Sequence, residues 1–112
     1  MEAQPRDVEI YKTEDEREPF KEWLEGLKDK KGVAAIDAKI AKVRKGNMGD
    51  CAPVGEGVSE FRVDCGPGYR VYFGQAERKI VILLSGGDKS TQDADIAEAK
   101  GYWKEFKERK KS

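Results

Sequence analysis

The sequence predicts an α+β fold in which helices pack against an antiparallel sheet, and three observations carry that prediction. Between Val58 and Lys89, three β-type segments follow one another. Phe61, Val63 and Cys65 alternate with Glu60, Arg62 and Asp64; Tyr69, Val71 and Phe73 alternate with Arg70, Tyr72 and Gly74; and Ile80 to Leu84 is an unbroken apolar run. Period-two alternation marks a half-buried strand, and a short solid apolar run marks one covered on both faces. Second, helical periodicity appears on either side of this block, at Phe20, Trp23, Leu24 and Leu27 and again at Ile96, Ala99, Trp103 and Phe106. Third, Gly66-Pro67-Gly68 falls between the first two β-type segments and supplies a hairpin reversal.

Taken in order, Arg6 to Lys12 alternates Val8 and Ile10 against polar neighbours and predicts a short strand. Pro19 is tolerated only in a first helical turn, so a helix is expected to start near Glu18 and to stop at Lys30-Lys31-Gly32. A second helix is expected from about Val33 to Lys45, with Val33, Ile36, Ile40 and Val43 in one stripe and Gly46-Asn47 at its end. So short a break predicts an antiparallel helix hairpin whose apolar faces need the sheet. Asn47 to Gly57 reads as a loop in which Val54 begins an added strand. Ser85-Gly86-Gly87-Asp88-Lys89 reads as a second loop, and Ser90 or Thr91 as the N-cap of a last helix ending in a frayed ERKKS tail.

With 112 residues, the chain makes one domain, its ordered core expected over about 6–108. Its longest apolar run is far short of a bilayer span, and no basic stretch leads into a long apolar one, so neither membrane span nor secretory signal is expected; the expected compartment is the cytoplasm. Cys51 and Cys65 without any histidine are too few ligands for zinc and are read as free thiols, so neither metal nor cofactor is expected. The zero net charge conceals a pattern: residues 1–27 carry −5, 28–45 carry +5, 46–99 carry −4 and 100–112 carry +4. Segregated positive charge on helices attracts polyanions, although a solvated lysine face looks the same in sequence.

The glycine-rich loops do not bind nucleotide in either familiar way. Asp88 separates Gly87 from Lys89, which breaks the phosphate-loop pattern, and no GxGxxG opens a helix after a strand. Trp23, Tyr69, Phe73 and Trp103 lie on core phases, whereas Tyr72 shares the phase of Arg70, which leaves a surface role and a core role equally open. Arg62, Arg70 and Lys89 form the candidate site. Two arginines on strands are held rigidly, and their planar forks suit phosphate oxygens, with lysine as a point charge. The competing reading pairs both arginines with Glu60 or Asp64 within the sheet.

Gly46–Asp50 (GNMGD), Val54–Phe73 (VGEGVSEFRVDCGPGYRVYF) and Leu83–Ile96 (LLSGGDKSTQDADI), with Phe20-x-x-Trp23-Leu24 and Trp103, closely resemble the phage- and plasmid-derived HigB-like branch of the RelE/ParE toxin superfamily. The resemblance runs from about Val8 to Phe106. It implies a RelE-like α+β fold, an N-terminal strand and helix hairpin on a twisted antiparallel sheet with a C-terminal helix. It also implies the toxin of a type II toxin–antitoxin module, an addiction-module killer protein that cuts messenger RNA in the ribosome by attack of the 2′-hydroxyl without metal. Arg70, Arg62 and Lys89 match the basic catalytic residues. Tyr72, by its strand phase, and Lys42 and Lys45 of the basic second helix are the candidate RNA contacts, and the implied partners are the ribosome, messenger RNA and a cognate antitoxin of helix-turn-helix type. Many relatives carry tyrosine or histidine shortly after the loop lysine; here Ser90, Thr91, Gln92 and Asp93 stand there, which leaves Asp88 or Asp93 as acid or base if its pKa is raised. The ParE side of the superfamily offers a non-enzymatic alternative, gyrase inhibition through the hairpin Pro19 to Lys45. A catalytically inactive antitoxin-binding domain is the third.

Overall fold

The computed structural model describes residues 5–77 and 79–111. Its elements in chain order are β1 (Asp7–Ile10), α1 (Pro19–Gly26), α2 (Lys30–Arg44), β2 (Cys51–Gly55), β3 (Val58–Val63), β4 (Tyr69–Ala76), β5 (Ile80–Asp88), a 3₁₀ turn (Lys89–Thr91) and α3 (Gln92–Lys111). The fold is α+β. The five strands form one sheet in the order β1-β5-β4-β3-β2. The sheet is mixed rather than wholly antiparallel, because β1 runs parallel to β5, pairing Asp7 with Ile80 through Ile10 with Leu83. The chain returns from β1 through both helices and three more strands before β5, so a long crossover is available, as a parallel pair requires.

Helices cover both faces of the sheet. On one side Phe20 of α1 and Ile36 and Val43 of α2 join Phe61, Val63, Tyr69, Val71, Phe73, Val81 and Leu83 in a buried cluster. On the other, Ala99 and Trp103 of α3 join Val58, Tyr72, Ile82 and Leu84, with Tyr11. The Phe61 and Phe73 rings stack with centroids 4.0 Å apart in the first cluster. Each layer seats an indole on a glycine. A Cβ at Gly86 would come within 2.3 Å of Trp23, and one at Gly74 within 2.5 Å of Trp103. No methyl group fits either place.

Several sequence expectations shift for local reasons. Lys30-Lys31-Gly32 opens α2 instead of ending α1, because the Asp29 carboxylate accepts the Gly32 N–H at 3.0 Å and caps the helix there. The segment Ser85–Asp88, read as a loop, continues β5, with Asp88 opposite Tyr69. Asp88 rather than Ser90 or Thr91 is the capping carboxylate, accepting the Ser90 N–H at 2.8 Å. The added strand starts at Cys51, three residues before Val54. Helix α3 runs on through the ERKK segment to Lys111, and Ser112 lies outside the described residues. The reversal at Gly66-Pro67-Gly68 stands as expected, closed by Gly68 N–H donating to the Cys65 carbonyl at 3.0 Å. No described helix is long and apolar enough to cross a membrane.

Candidate functional site

One irregularity in the β4–β5 ladder positions the site. The register shifts between Tyr72 and Phe73, so that Tyr72 opposes Ser85 while Phe73 opposes Leu83. The extra residue, Leu84, changes the phase of the strand, and Ser85 and Gly87 thereby face the α3 side with Tyr72 and Arg70. Two cross-strand rows result. Glu60, Tyr72 and Ser85 form one, and Arg62, Arg70 and Gly87 form the next. Gly87 lets α3 settle onto this end of the sheet, since a Cβ there would lie 1.9 Å from an Asp95 carboxylate oxygen.

The expected pairing of Arg62 with Arg70 on one face is therefore present, directly across β3 and β4. Between them sits Glu60, a carboxylate only 2% exposed. Its Oε2 accepts Arg62 Nε–H at 2.8 Å and lies 3.6 Å from Arg70 Nε, while Oε1 accepts from Gln92 Nε2 at 3.3 Å. Arg62 is half open to solvent and reaches Asp50 at 3.5 Å with Nη1. Arg70 is 8% exposed and donates from Nη1 to the Tyr69 carbonyl at 3.1 Å. A lone carboxylate at this depth is costly, and two guanidiniums offset that cost only with good geometry. Of the two acids weighed from sequence, Glu60 and not Asp64 is the partner.

Three buried polar atoms stand beside this cluster without a hydrogen-bond partner: Arg70 Nε, Tyr72 Oη and Ser85 Oγ. Buried polar groups are ordinarily satisfied, so three such atoms in two adjacent rows set this spot apart from the rest of the sheet. Burial, reinforced by the Glu60 charge, pushes the Tyr72 phenol up to about 12. The hydrogen bond that Arg62 donates to Glu60 holds its guanidinium still more firmly in the charged form.

The remaining candidates scatter. Tyr72, a candidate RNA contact by its strand phase, is fully buried, because β4 carries a helix layer on each face and not on one. Lys89 is exposed, and its stem lies over the β3–β4 turn, where a Cβ on Gly68 would be 2.8 Å from Lys89 Cε. That puts it at the same end of the sheet as the arginines. With Ser90, Thr91, Gln92, Asp93 and Ala94 it lines an open cleft of about 570 Å³. Asp88 is bound by the Ser90 N–H and hydroxyl, which hold its carboxyl below the usual range, the reverse of what an acid or base at neutral pH needs. Asp93 is exposed in the cleft wall. Lys42 and Lys45 are exposed near the C-terminus of α2, a helix on the opposite face of the sheet from Arg62 and Arg70. That terminus is tied to β1 by Arg6 N–H donating to the Arg44 carbonyl, near the Ala76–Ile80 end. These two lysines do not share a site with the arginines.

Sequence reasoning named Glu60 as a partner of the arginines, and it missed Gln92. Glu60 shares the phase of Arg62 two positions away, a signal that was legible. Gln92 carried none, because its contact depends on α3 crossing the far face.

No protein-family model matches the sequence. Over 81 residues, 72% of this chain and 82% of the relative, the sequence is 49% identical to a Haemophilus influenzae protein described as uncharacterized. The chain belongs to that protein's family. Identity at this level over most of both chains carries the fold to the Haemophilus relative, whose description names no activity.

Proposed function

We propose that the chain is the toxin of a type II toxin–antitoxin module, a RelE/ParE-type endoribonuclease that cleaves messenger RNA on the ribosome. The observation that supports this reading is the opposition of Arg62 and Arg70 on rigid strands around one carboxylate, beside a cleft bordered by Lys89. Cleavage by internal attack needs an in-line 2′-oxygen, a group to take its proton, and positive charge for the phosphorane. In this reading Arg62, the more exposed arginine, turns from Glu60 to a non-bridging phosphate oxygen. Glu60 takes the 2′-hydroxyl proton, the 2′-oxygen bonds to phosphorus, and the bond to the 5′-oxygen breaks. The products are a 2′,3′-cyclic phosphate and a 5′-hydroxyl that takes its proton from solvent. Arg70 stays in the sheet as the fixed charge.

The same Glu60 contact favours a second reading, binding without cleavage, since a carboxylate engaging both arginines lowers their pull on phosphate. Primer extension on transcripts from cells expressing the chain separates the two. Cleavage is expected to yield new, translation-dependent ends that vanish with Arg70→Ala while the variant stays folded. Growth arrest without such ends, undiminished by Arg70→Ala, would replace it with the non-enzymatic reading.

A further inference from the structure

The lysine face of α3 continues the candidate site. Lys100, Lys104, Lys107 and Lys111 recur at i, i+4, i+7 and i+11, which confines them to about 60° of the helix circumference over ~16 Å of its length. Their surface is concave and unbroken. Asp93 borders both the cleft beside Lys89 and a depression that reaches Lys100 and Lys104; those two border a further one at Gly57 and Lys107; and Lys107 joins a last hollow floored by Trp103 and Phe106. Asp93 and Glu56 border the first hollows and Glu77 the last, but among the described residues few ion pairs engage the lysines. Lys100 meets the exposed Glu56 at 3.5 Å, a surface pair worth little, and Lys104, Lys107 and Lys111 have no carboxylate partner. The acid that α3 spends on an ion pair, Glu105, is engaged by Arg109 on the other flank. Trp103 and Phe106 stack with centroids 5.4 Å apart, and the Lys107 and Lys110 ammoniums lie 5.7 Å from their rings.

We propose that this face is a track for the sugar–phosphate backbone of RNA, leading away from the cleft along α3. It rests on the reading of RNA as the substrate. Lysines in a row act as point charges for successive phosphates without selecting sequence, and the contribution is salt-dependent.

The test measures binding of a 2′-O-methylated single-stranded RNA of about 16 nucleotides, which cannot be cut by 2′-attack, by fluorescence anisotropy across a salt series. The variants are Lys104→Gln/Lys107→Gln/Lys111→Gln and a charge-matched control, Lys21→Gln/Lys30→Gln/Lys31→Gln, with circular dichroism to verify folding. A Lys104→Gln/Lys111→Gln variant keeps the Lys107 contact with Trp103, so the question stays answerable if the triple variant unfolds. The α3 triple variant is expected to bind at least ~10-fold more weakly at low salt, with a log–log salt slope shallower by about 2, and the double variant by about 1.4. The control should match wild type. Unchanged slopes in the α3 variants, an equal loss in the control, or competition by polyglutamate as effective as by RNA would overturn the proposal. The polyglutamate result would assign the face to an acidic peptide. Lysine-dependent RNA binding by a chain that cuts no transcript would refute the nuclease reading and leave the track standing; cleavage with unchanged slopes would do the opposite.

Discussion

Glu60→Gln is the substitution that most directly probes the site, because it removes one charge and almost no volume. Glu60 is 2% exposed and the Arg70 side chain 9% exposed, so their pair is screened by protein and not by water. Removing one member of a buried pair leaves the other charge uncompensated, at a cost of about 3 kcal/mol at the low end of the usual range. The low end applies because Arg70 keeps its bond to the Tyr69 carbonyl and glutamine retains an acceptor. Arg62 adds little, since its head group simply turns to solvent. Against a total of about 5–15 kcal/mol the variant remains folded at room temperature. For a domain of this size ~3 kcal/mol corresponds to a fall in Tm of roughly 12 °C. Thermal and urea melts followed by circular dichroism read the loss directly. The companion variant Glu60→Gln/Arg70→Met should recover much of it, since replacing both members of a buried pair by neutral groups is often close to harmless. A drop below about 3 °C, or a double variant less stable than the single by the full cost of Arg70→Met, would refute the claim that Glu60 and Arg70 compensate each other. In a translation extract, the same single variant should cut transcripts at least ~100-fold more slowly if Glu60 takes the 2′-hydroxyl proton.

Two further outcomes follow from the sheet. Gly74→Ala places a methyl group 2.5 Å from the Trp103 ring, which must shift, and about 1–3 kcal/mol of stability should be lost in urea melts, with α3 less protected in hydrogen exchange. Alkaline pH should also unfold the chain. The Tyr69 phenol, donating to Asp29 at 2.7 Å, and the buried Tyr72 phenol are each pushed up to about 12 from an ordinary 10, and Tyr11 is raised as well by burial and its bond to Glu105. A raised acid keeps its proton in the folded state, so these contributions are complete below pH 10 and disappear between pH 10 and 12 as the unfolded chain ionises first. Tyr69→Phe and Tyr72→Phe should each flatten that decline in a pH series of melts, and an unchanged slope in both would count against the assignment.

The parts of this fold that could be read from sequence are those set by local chemistry. Pro19 fixes the first turn of α1, alternation reveals β3 and β4 as strands, and Gly66 to Gly68 make the reversal. What escaped depends on partners distant in sequence. Gly86 and Gly87 look like loop residues because glycine weakens a strand. They are tolerated in β5 because Trp23 and Asp95 occupy the space their side chains would need. Strand alternation suggests one wet face and so leaves a surface role open to Tyr72, and that role is lost once α3 covers the second face. The parallel β1 was hidden for a related reason, since no local signal states which edge an isolated four-residue strand will join.

The site illustrates how phase alone overstates a charge cluster. Alternation is enough to put Arg62 and Arg70 on one face, and cross-strand register then makes them neighbours. The same alternation brings Glu60 along, two residues from Arg62 and opposite Tyr72, so the basic pair cannot be had on these strands without a carboxylate in its midst. Whether the pair acts on phosphate is thus decided by how readily Arg62, the member open to water, leaves Glu60. Its contacts are with one buried and one exposed acid, at 2.8 Å and 3.5 Å, and only the first resists exchange for a phosphate oxygen. A phosphodiester carries the same single charge as the carboxylate it would replace and gains more only in the phosphorane, so the exchange would strengthen as the reaction proceeds. Under the proposed reading, holding the RNA backbone beside the pair would fall to the lysines of α3, which line hollows beyond the cleft wall at Asp93.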